Sequence, residues 1–419
     1  MIDLKKLTTY SKSIGLYLSA SIIPMMLSLA VNPLVAINMS PTDYAISGYY
    51  TSFSVLFTPI IVFYMLHYYT KSYYQVNEDE RFKLKAVLFK ALIYFSGFMA
   101  IMCCIGLILY LKYFNAESEM PIYPYVFLSV FSIPLTGIYT LMLTDYRISR
   151  ESKKFFRLSV VNGVIGVALV ALFVVLLKWG AVGKLLAPLV CSIIFFMWAA
   201  WQNRELFNIT FDWKHFGVIL KFCAPLMFAA MLEFFSRGYD RVLLERLDNY
   251  VELGYYVVGV QFAAYLTLMS TSINSTFQPD IFESMAKKDY KRALKFILLM
   301  VISISVIVAL FIVLSPFVVK ILTAGRYMLS VKYTQILSLS VITSTMFYAS
   351  NQIIIAEGKS NIIMVSRIIT TILLIIMFNV LIDKYQFLGA AWGTVISFLV
   401  MLIINIILLV FSKKRQESK

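Results

Sequence analysis

Residues 158–177 read LSVVNGVIGVALVALFVVLL, a run without a single charge. A second run, ILLMVISISVIVALFIVLS at 297–315, is equally uncharged. A helix needs about 20 predominantly apolar residues to cross the hydrocarbon core of a bilayer, and runs of that kind recur on both sides of these two. The pattern predicts twelve spans, at 12–38, 43–68, 86–111, 122–146, 157–177, 182–203, 216–238, 252–277, 293–318, 332–356, 361–382 and 387–411. The pairs 157–177 with 182–203 and 361–382 with 387–411 are joined by linkers too short for anything but an antiparallel hairpin. Of the 419 residues, 60% are apolar and 14% charged, with a mean hydropathy of +0.82. A soluble domain sits nearer half apolar and a quarter charged, and soluble cores split into domains instead of growing without limit. A water-soluble enzyme is excluded. The fold class is an all-α polytopic membrane protein with twelve transmembrane helices.

The cations orient the chain. Of the 37 Lys and Arg, 27 fall on the side that holds both ends, clustered at 67–90, 147–157 and 287–295 among others. Loop Lys and Arg set orientation, so both termini are expected in the cytoplasm, the last as a basic tail over 412–419. The net charge of +15 is then a topology signal, and cations scattered over short loops leave no nucleic-acid partner to explain. The run after Met1–Lys6 is too long for a signal-peptide core and is expected to remain as the first span. Cys103, Cys104, Cys191 and Cys223 fall inside spans, which gives neither a disulfide framework nor metal-ligand spacing. His67 and His215 each sit at a membrane edge, as interfacial side chains or, less simply, as proton relays. No loop is long enough for a soluble domain, and no Walker loop, HExxH or GxSxG is present, so neither a cofactor, a metal nor a catalytic residue is expected.

The chain is written twice. Asp43-Tyr-Ala-Ile-Ser-Gly-Tyr-Tyr50 opens the second span and Asn249-Tyr-Val-Glu-Leu-Gly-Tyr-Tyr256 opens the eighth. Gly180-Ala-Val-Gly183 opens the sixth, and Gly389-Ala-Ala-Trp-Gly393 opens the twelfth. Two echoes in the same order point to duplication. Six spans separate the copies, so the repeat is parallel, about an axis along the membrane normal. A six-helix lobe over 1–210 and another over 211–411 are expected, with a cavity between them. Pro24, with Pro33 further on, lies in span one, and Pro225 lies in the matching place in span seven. A proline inside a helix removes a hydrogen bond and kinks it, so these are candidate hinges, although transmembrane helices also tolerate proline for no functional reason.

Asp240-Arg241, Glu252-Leu-Gly-Tyr255, Ala356-Glu-Gly-Lys359, Asn379, Leu388-Gly-Ala-Ala391 and Gly393-Thr394, in this order over essentially the whole chain, resemble the polysaccharide transporters of the multidrug/oligosaccharidyl-lipid/polysaccharide flippase superfamily. The likeness is greatest to the Wzx-type O-antigen flippases. It implies transport of an undecaprenyl-pyrophosphate-linked oligosaccharide from the cytoplasmic to the outer leaflet of a bacterial inner membrane. It also implies that membrane lipids, a polymerase and a chain-length regulator of lipopolysaccharide or capsule assembly are partners. Related peptidoglycan-precursor flippases carry extra C-terminal spans and several arginines in the first two helices, which this chain lacks. Drug extruders of the superfamily often have an acidic residue in span one, where this chain has Asn32 and Asn38.

Intramembrane charges are candidate sites because each is costly in hydrocarbon. Arg367 lies inside span eleven and can fork onto phosphate oxygens, or snorkel to the inner interface. Lys221 in span seven is a second candidate with a stronger pull to snorkel, and Arg237 lies nearer the outer exit. Glu233, Arg237, Asp240 and Arg241 fall at i, i+4, i+7 and i+8, one helical face of alternating sign. That face is either an outer gate or a self-neutralising ladder. Thr267, Ser270, Thr271, Asn274 and Gln278 form one polar stripe on span eight, which either lines a wet cavity with Asn32 or bonds to a neighbouring helix.

Two other classes compete with a flippase. An ion-coupled exporter of small amphipathic molecules could use the same scaffold. A membrane enzyme of glycan assembly resembles its family through a large outer loop, and the outer loops here, such as 239–251, are short. The charge count makes a direct prediction: a reporter active only outside the cytoplasm, fused to the C-terminus, gives no signal. A strong signal reverses the topology.

Overall fold

In the computed structural model, which describes residues 4–115 and 118–417, every regular element among the described residues is a helix. A first compact unit, Met1–Met231, holds α1 (Leu4–Asn38), α2 (Pro41–Val62), α3 (Met65–Ser72), α4 (Glu78–Leu109), α5 (Tyr125–Ile148), α6 (Ser152–Val170), α7 (Gly180–Gln202) and α8 (Trp213–Met231). The second, Leu232–Lys419, holds α9 (Phe234–Arg237), α10 (Tyr239–Glu245), α11 (Tyr250–Ala286), α12 (Tyr290–Leu322), α13 (Val331–Ala356) and α14 (Ser360–Glu417). The division falls inside the seventh expected span. Phe216, Ile219 and Cys223 of α8 join the core of the first unit, where Leu88, Phe89 and Leu92 of α4 meet Ile138, Leu141 and Met142 of α5.

Eleven helical stretches among the described residues are long and apolar enough to cross a bilayer, and the protein is a multi-pass membrane protein. The two uncharged runs, 158–177 and 297–315, lie in the most exposed of these stretches. Only 11% of the apolar window in Ser152–Leu176 and 17% of that in Tyr290–Leu322 is buried, against 61% in α2 and 50% in Met328–Ala356. Ile302, Val306, Leu310, Val313 and Phe317 of α12 form an exposed stripe at helical spacing. Water would penalise such a face and hydrocarbon accepts it.

The last stretch, Asn361–Ser412, would be about 78 Å long if straight, at 1.5 Å per residue, more than twice the ~30 Å it has to cross. It doubles back at Gln386 (φ 50°, ψ −129°). A Cβ on Gly389 would lie 2.0 Å from the Leu381 carbonyl oxygen, an approach that only a sharp reversal and a glycine permit. The two arms are the eleventh and twelfth expected spans. The basic tail expected at 412–419 continues α14 to Glu417, and its last two residues lie outside the described ones.

Two departures from the expected boundaries have a local cause in burial. Span 43–68 stops at Val62, because Phe63 and Tyr64 take left-handed backbone (φ 51° and 55°) before α3. Full burial of Met65 and Tyr69 just beyond, at about 1.5–3 kcal/mol per large apolar side chain, offsets the ~1–2 kcal/mol of each left-handed residue. The stretch 239–251, expected as an outer loop, begins with the buried helix α10, whose Val242, Leu243 and Leu244 all lie in the core.

The Gly180 echo acquires a physical cause. Ser40 caps α2, its backbone N–H and hydroxyl donating to Asp43 Oδ2 at 2.8 and 2.7 Å. The other carboxylate oxygen of Asp43 accepts the Ala181 N–H that starts α7, at 2.9 Å. Gly180 makes this possible, with φ +49° and no room for a Cβ, which would fall 2.4 Å from Asp43 Oδ1. One carboxylate thus fastens two helix starts, each cap contributing about 0.5–2 kcal/mol. Asp43→Ala is expected to lower the apparent melting temperature of the detergent-solubilised protein more than Ser40→Ala, with Asp43→Asn between them. Equal melting of Asp43→Ala and wild type removes the double-cap role.

Candidate functional site

The seventh expected span breaks twice, and the breaks build the site. Helix α8 continues through Pro225 to Met231, α9 covers Phe234–Arg237, and Gly238 (φ −141°, ψ −24°) separates it from α10. Broken helices leave carbonyls without helical partners, and Arg241 Nη2 donates to one of them, the Arg237 carbonyl.

Around this break a charged cluster forms within the second unit. Arg237 Nε lies 2.8 Å from Glu233 Oε1, the i, i+4 pair of the sequence reading. Tyr348 of α13 donates its hydroxyl to Glu233 Oε1 at 3.0 Å and accepts from Arg237 Nη2. Arg367 of α14 is 9% exposed, its guanidinium carbon 5.0 Å from the centroid of the Phe347 ring. Phe347 stands beside Tyr348 in the chain, with their ring centroids 5.2 Å apart. Arg367 Nη1 is buried and makes no hydrogen bond. The cluster therefore holds two guanidiniums against one carboxylate, with a donor left over.

Asp240 and Arg241 form a separate buried pair. Tyr256 donates to Asp240 Oδ2 at 2.6 Å, and Arg241 Nε lies 3.6 Å from Asp240 Oδ1. Tyr256 is the last residue of the echoed Gly-Tyr-Tyr, so the motif ties α10 to α11.

The polar stripe on α11 divides. Ser270 shares a 2.8 Å hydrogen bond with Thr345, and Asn274 Oδ1 accepts from Gln352 at 2.7 Å, both on α13. Thr267 donates to the Ala263 carbonyl and Thr271 to that of Leu268, while Thr271 and Gln278 are exposed. Lys221 is exposed on α8 of the first unit and forms no ion pair among the described residues. Asn32 is buried in α1. Pro24 and Pro33 lie within α1, which is helical throughout, and Pro24 abuts α6 at Gly163. His67 stacks on Tyr64 at 4.4 Å, and His215 lies 3.4 Å from the Tyr68 hydroxyl.

Sequence reasoning missed Tyr348, one of 27 tyrosines with nothing local to mark it. It also missed Asn405, which donates to Ser350 and to Asn351, both at 2.8 Å. A signal for Asn405 existed: it is the single polar residue in FLVMLIINIILLVF, 398–411.

A family model described as polysaccharide biosynthesis protein matches residues 39–331. No curated protein matches the chain. Among solved structures, the lipid II flippase MurJ in an inward closed conformation is similar at a TM-score of 0.70 and 16% identity, over 96% of this chain and 87% of that one. An inward-facing multidrug resistance MATE family transporter of the MOP superfamily gives 0.67 and 12%, over 96% and 98%. The MATE multidrug transporter DinF-BH gives 0.64 and 14%, over 95% and 94%. At these identities the likeness is one of fold.

The Asp240–Arg241 pair makes a prediction of its own. Removing one partner of a buried pair typically costs about 3–5 kcal/mol. A stranded carboxylate can take up a proton, whereas a guanidinium cannot shed one. Asp240→Ala is therefore expected to lower the apparent melting temperature more than Arg241→Met. The reverse order refutes this account.

Proposed function

The chain belongs to the polysaccharide biosynthesis protein family, and on that premise we propose that it is a flippase for an undecaprenyl-pyrophosphate-linked oligosaccharide. The cargo is an O-antigen or capsule repeat unit, moved from the cytoplasmic to the outer leaflet of a bacterial inner membrane by alternating access of two lobes. A polymerase and a chain-length regulator of the same pathway would receive the product. Duplicated Asp43 and Asn249 segments support a two-lobed carrier, with Pro24, Pro33 and Pro225 as candidate hinges.

Arg367 carries the reading. A phosphate in hydrocarbon needs cations or donors to replace its water. Arg367 offers a buried Nη1 without a hydrogen-bond partner, whereas Arg237 is already engaged with Glu233 and Tyr348. Bidentate guanidinium–phosphate contacts suit that donor. Lys221, exposed on the first unit, is a further candidate cation, and in the second unit the exposed Thr271 and Gln278 are suited to sugar hydroxyls.

An ion-coupled exporter of small amphipathic molecules is the second reading, supported by the likeness in fold to MATE transporters. It needs an embedded carboxylate able to take a cation. Glu233 and Asp240 are each held by an arginine and a tyrosine, which favours the flippase.

In a strain lacking its own flippase, Arg367→Gln is expected to reduce surface polysaccharide by about tenfold or more, since hydrogen bonds to charged groups contribute about 1.5–3 kcal/mol. Arg367→Lys should keep part of the activity. Wild-type polymer levels with Arg367→Gln, at equal protein in the membrane, reduce Arg367 to an anchor.

A further inference from the structure

In the first unit, far along the chain from these residues, α6 carries an unusual lengthwise sequence. Lys154, Arg157, Leu158, Val161 and Ile165 fall at i, i+3, i+4, i+7 and i+11, so one helical face runs from two cations into pure hydrocarbon side chains. All five line a groove of about 410 Å³, within the usual range for small-molecule sites of about 300–1,000 Å³. The opposite wall is α7, which presents Gln202 at the cationic end and Trp198, Phe195 and Ile194 in the apolar stretch. Gln202 donates to the Tyr146 hydroxyl at 3.2 Å, and Lys154 Nζ lies 5.7 Å from the Tyr146 ring centroid. The polar groups therefore gather at one end and the apolar ones fill the rest.

We infer that this groove binds one anionic phospholipid of the leaflet that borders the 147–157 turn, its phosphate on Lys154 and Arg157 and one acyl chain along Val161 and Ile165. Length agrees: from Lys154 to Ile165 the helix rises about 16 Å at 1.5 Å per residue, close to half of the ~30 Å hydrocarbon core. Charge agrees as well. Lys154 pairs with Glu151 at 2.8 Å, whereas Arg157 is exposed and forms no ion pair among the described residues. With Lys154 offset by Glu151, Arg157 is the cation left, among the described lining residues, for a phosphodiester, which carries one negative charge. Basic pockets between transmembrane helices are established binding places for acidic headgroups. Trp198 on the wall has the amphipathic ring that interfaces favour.

Native mass spectrometry of the full chain, titrated with phosphatidylglycerol or phosphatidylcholine, tests the inference. Wild type is expected to retain phosphatidylglycerol preferentially. A cation near an acidic headgroup is worth about fivefold in binding, so Lys154→Gln with Arg157→Gln should weaken retention by roughly 25-fold. Lys153→Gln, off this stripe, should leave it unchanged. Val161→Trp, which fills the groove and keeps both cations, should weaken retention too, and it stands in if the double variant fails to fold. Equal retention of the two lipids by wild type, or unchanged phosphatidylglycerol binding in both groove variants, overturns the site. Preferential displacement of phosphatidylglycerol by undecaprenyl pyrophosphate overturns the choice of occupant.

Discussion

Hydrocarbon offers no hydrogen bonds, so each polar group that enters it has to find a partner inside the protein. The backbone does this by staying helical among the described residues. Hydroxyls do it by bonding back to the preceding turn, as Thr267, Ser275, Ser303 and Thr370 all do. Charges do it in clusters: Lys85 with Asp145 at 2.7 Å in the first unit, Glu233 with Arg237 in the second. Against that background Arg367 stands out: its buried Nη1 has no hydrogen-bond partner, and unlike Arg237 and Arg241 it faces no carboxylate among the described residues.

The architecture was legible because hydrophobic length is an additive property of sequence. Twenty apolar residues in a row need no knowledge of neighbours to be read as a span, and the 158–177 run could be assigned from itself alone. The Gly-Tyr-Tyr and Gly180 echoes were legible as repetition, but not their cause, since the Asp43 carboxylate that explains Gly180 lies well over a hundred residues away. The break after Val62 was hidden for the same reason. Its left-handed Phe63 and Tyr64 carry no turn-forming residue, and only the burial of Met65 and Tyr69 makes the bend favourable.

The site divides along the same line. Glu233 and Arg237 pair as their i, i+4 spacing requires, because that contact is local. The helix does not run on to Asp240 and Arg241, so the four residues are not one continuous ladder: Gly238 interrupts it, and the second pair turns to Tyr256. Two residues of the α11 stripe bond to α13, two stay exposed, and Thr267 bonds back within its own helix. Periodicity could show that Ser270, Thr271 and Asn274 share a face, but not which neighbour that face would meet. Tyr348, which joins Glu233 to Arg237 from another helix, was beyond any local pattern.

Magnitudes suggest why such a site would be left incomplete in the proposed flippase. An arginine at the centre of a bilayer costs about 2.5–3.5 kcal/mol on insertion scales, an upper bound for Arg367 near the start of its stretch. The Phe347 ring, 5.0 Å from the Arg367 guanidinium, returns about 0.5–2 kcal/mol as a cation–π contact. Up to roughly 3 kcal/mol is then uncompensated, and a charge-assisted bond to an arriving phosphate, about 1.5–3 kcal/mol, is of similar size. A fully satisfied Arg367, with a carboxylate of its own, would gain nothing from the cargo. One with no support at all would be too costly to hold in the membrane. Between those limits, an arginine that leans on an aromatic ring and keeps one donor open binds an anion with modest net affinity, and a carrier that must release its load on the far side needs that affinity to stay modest.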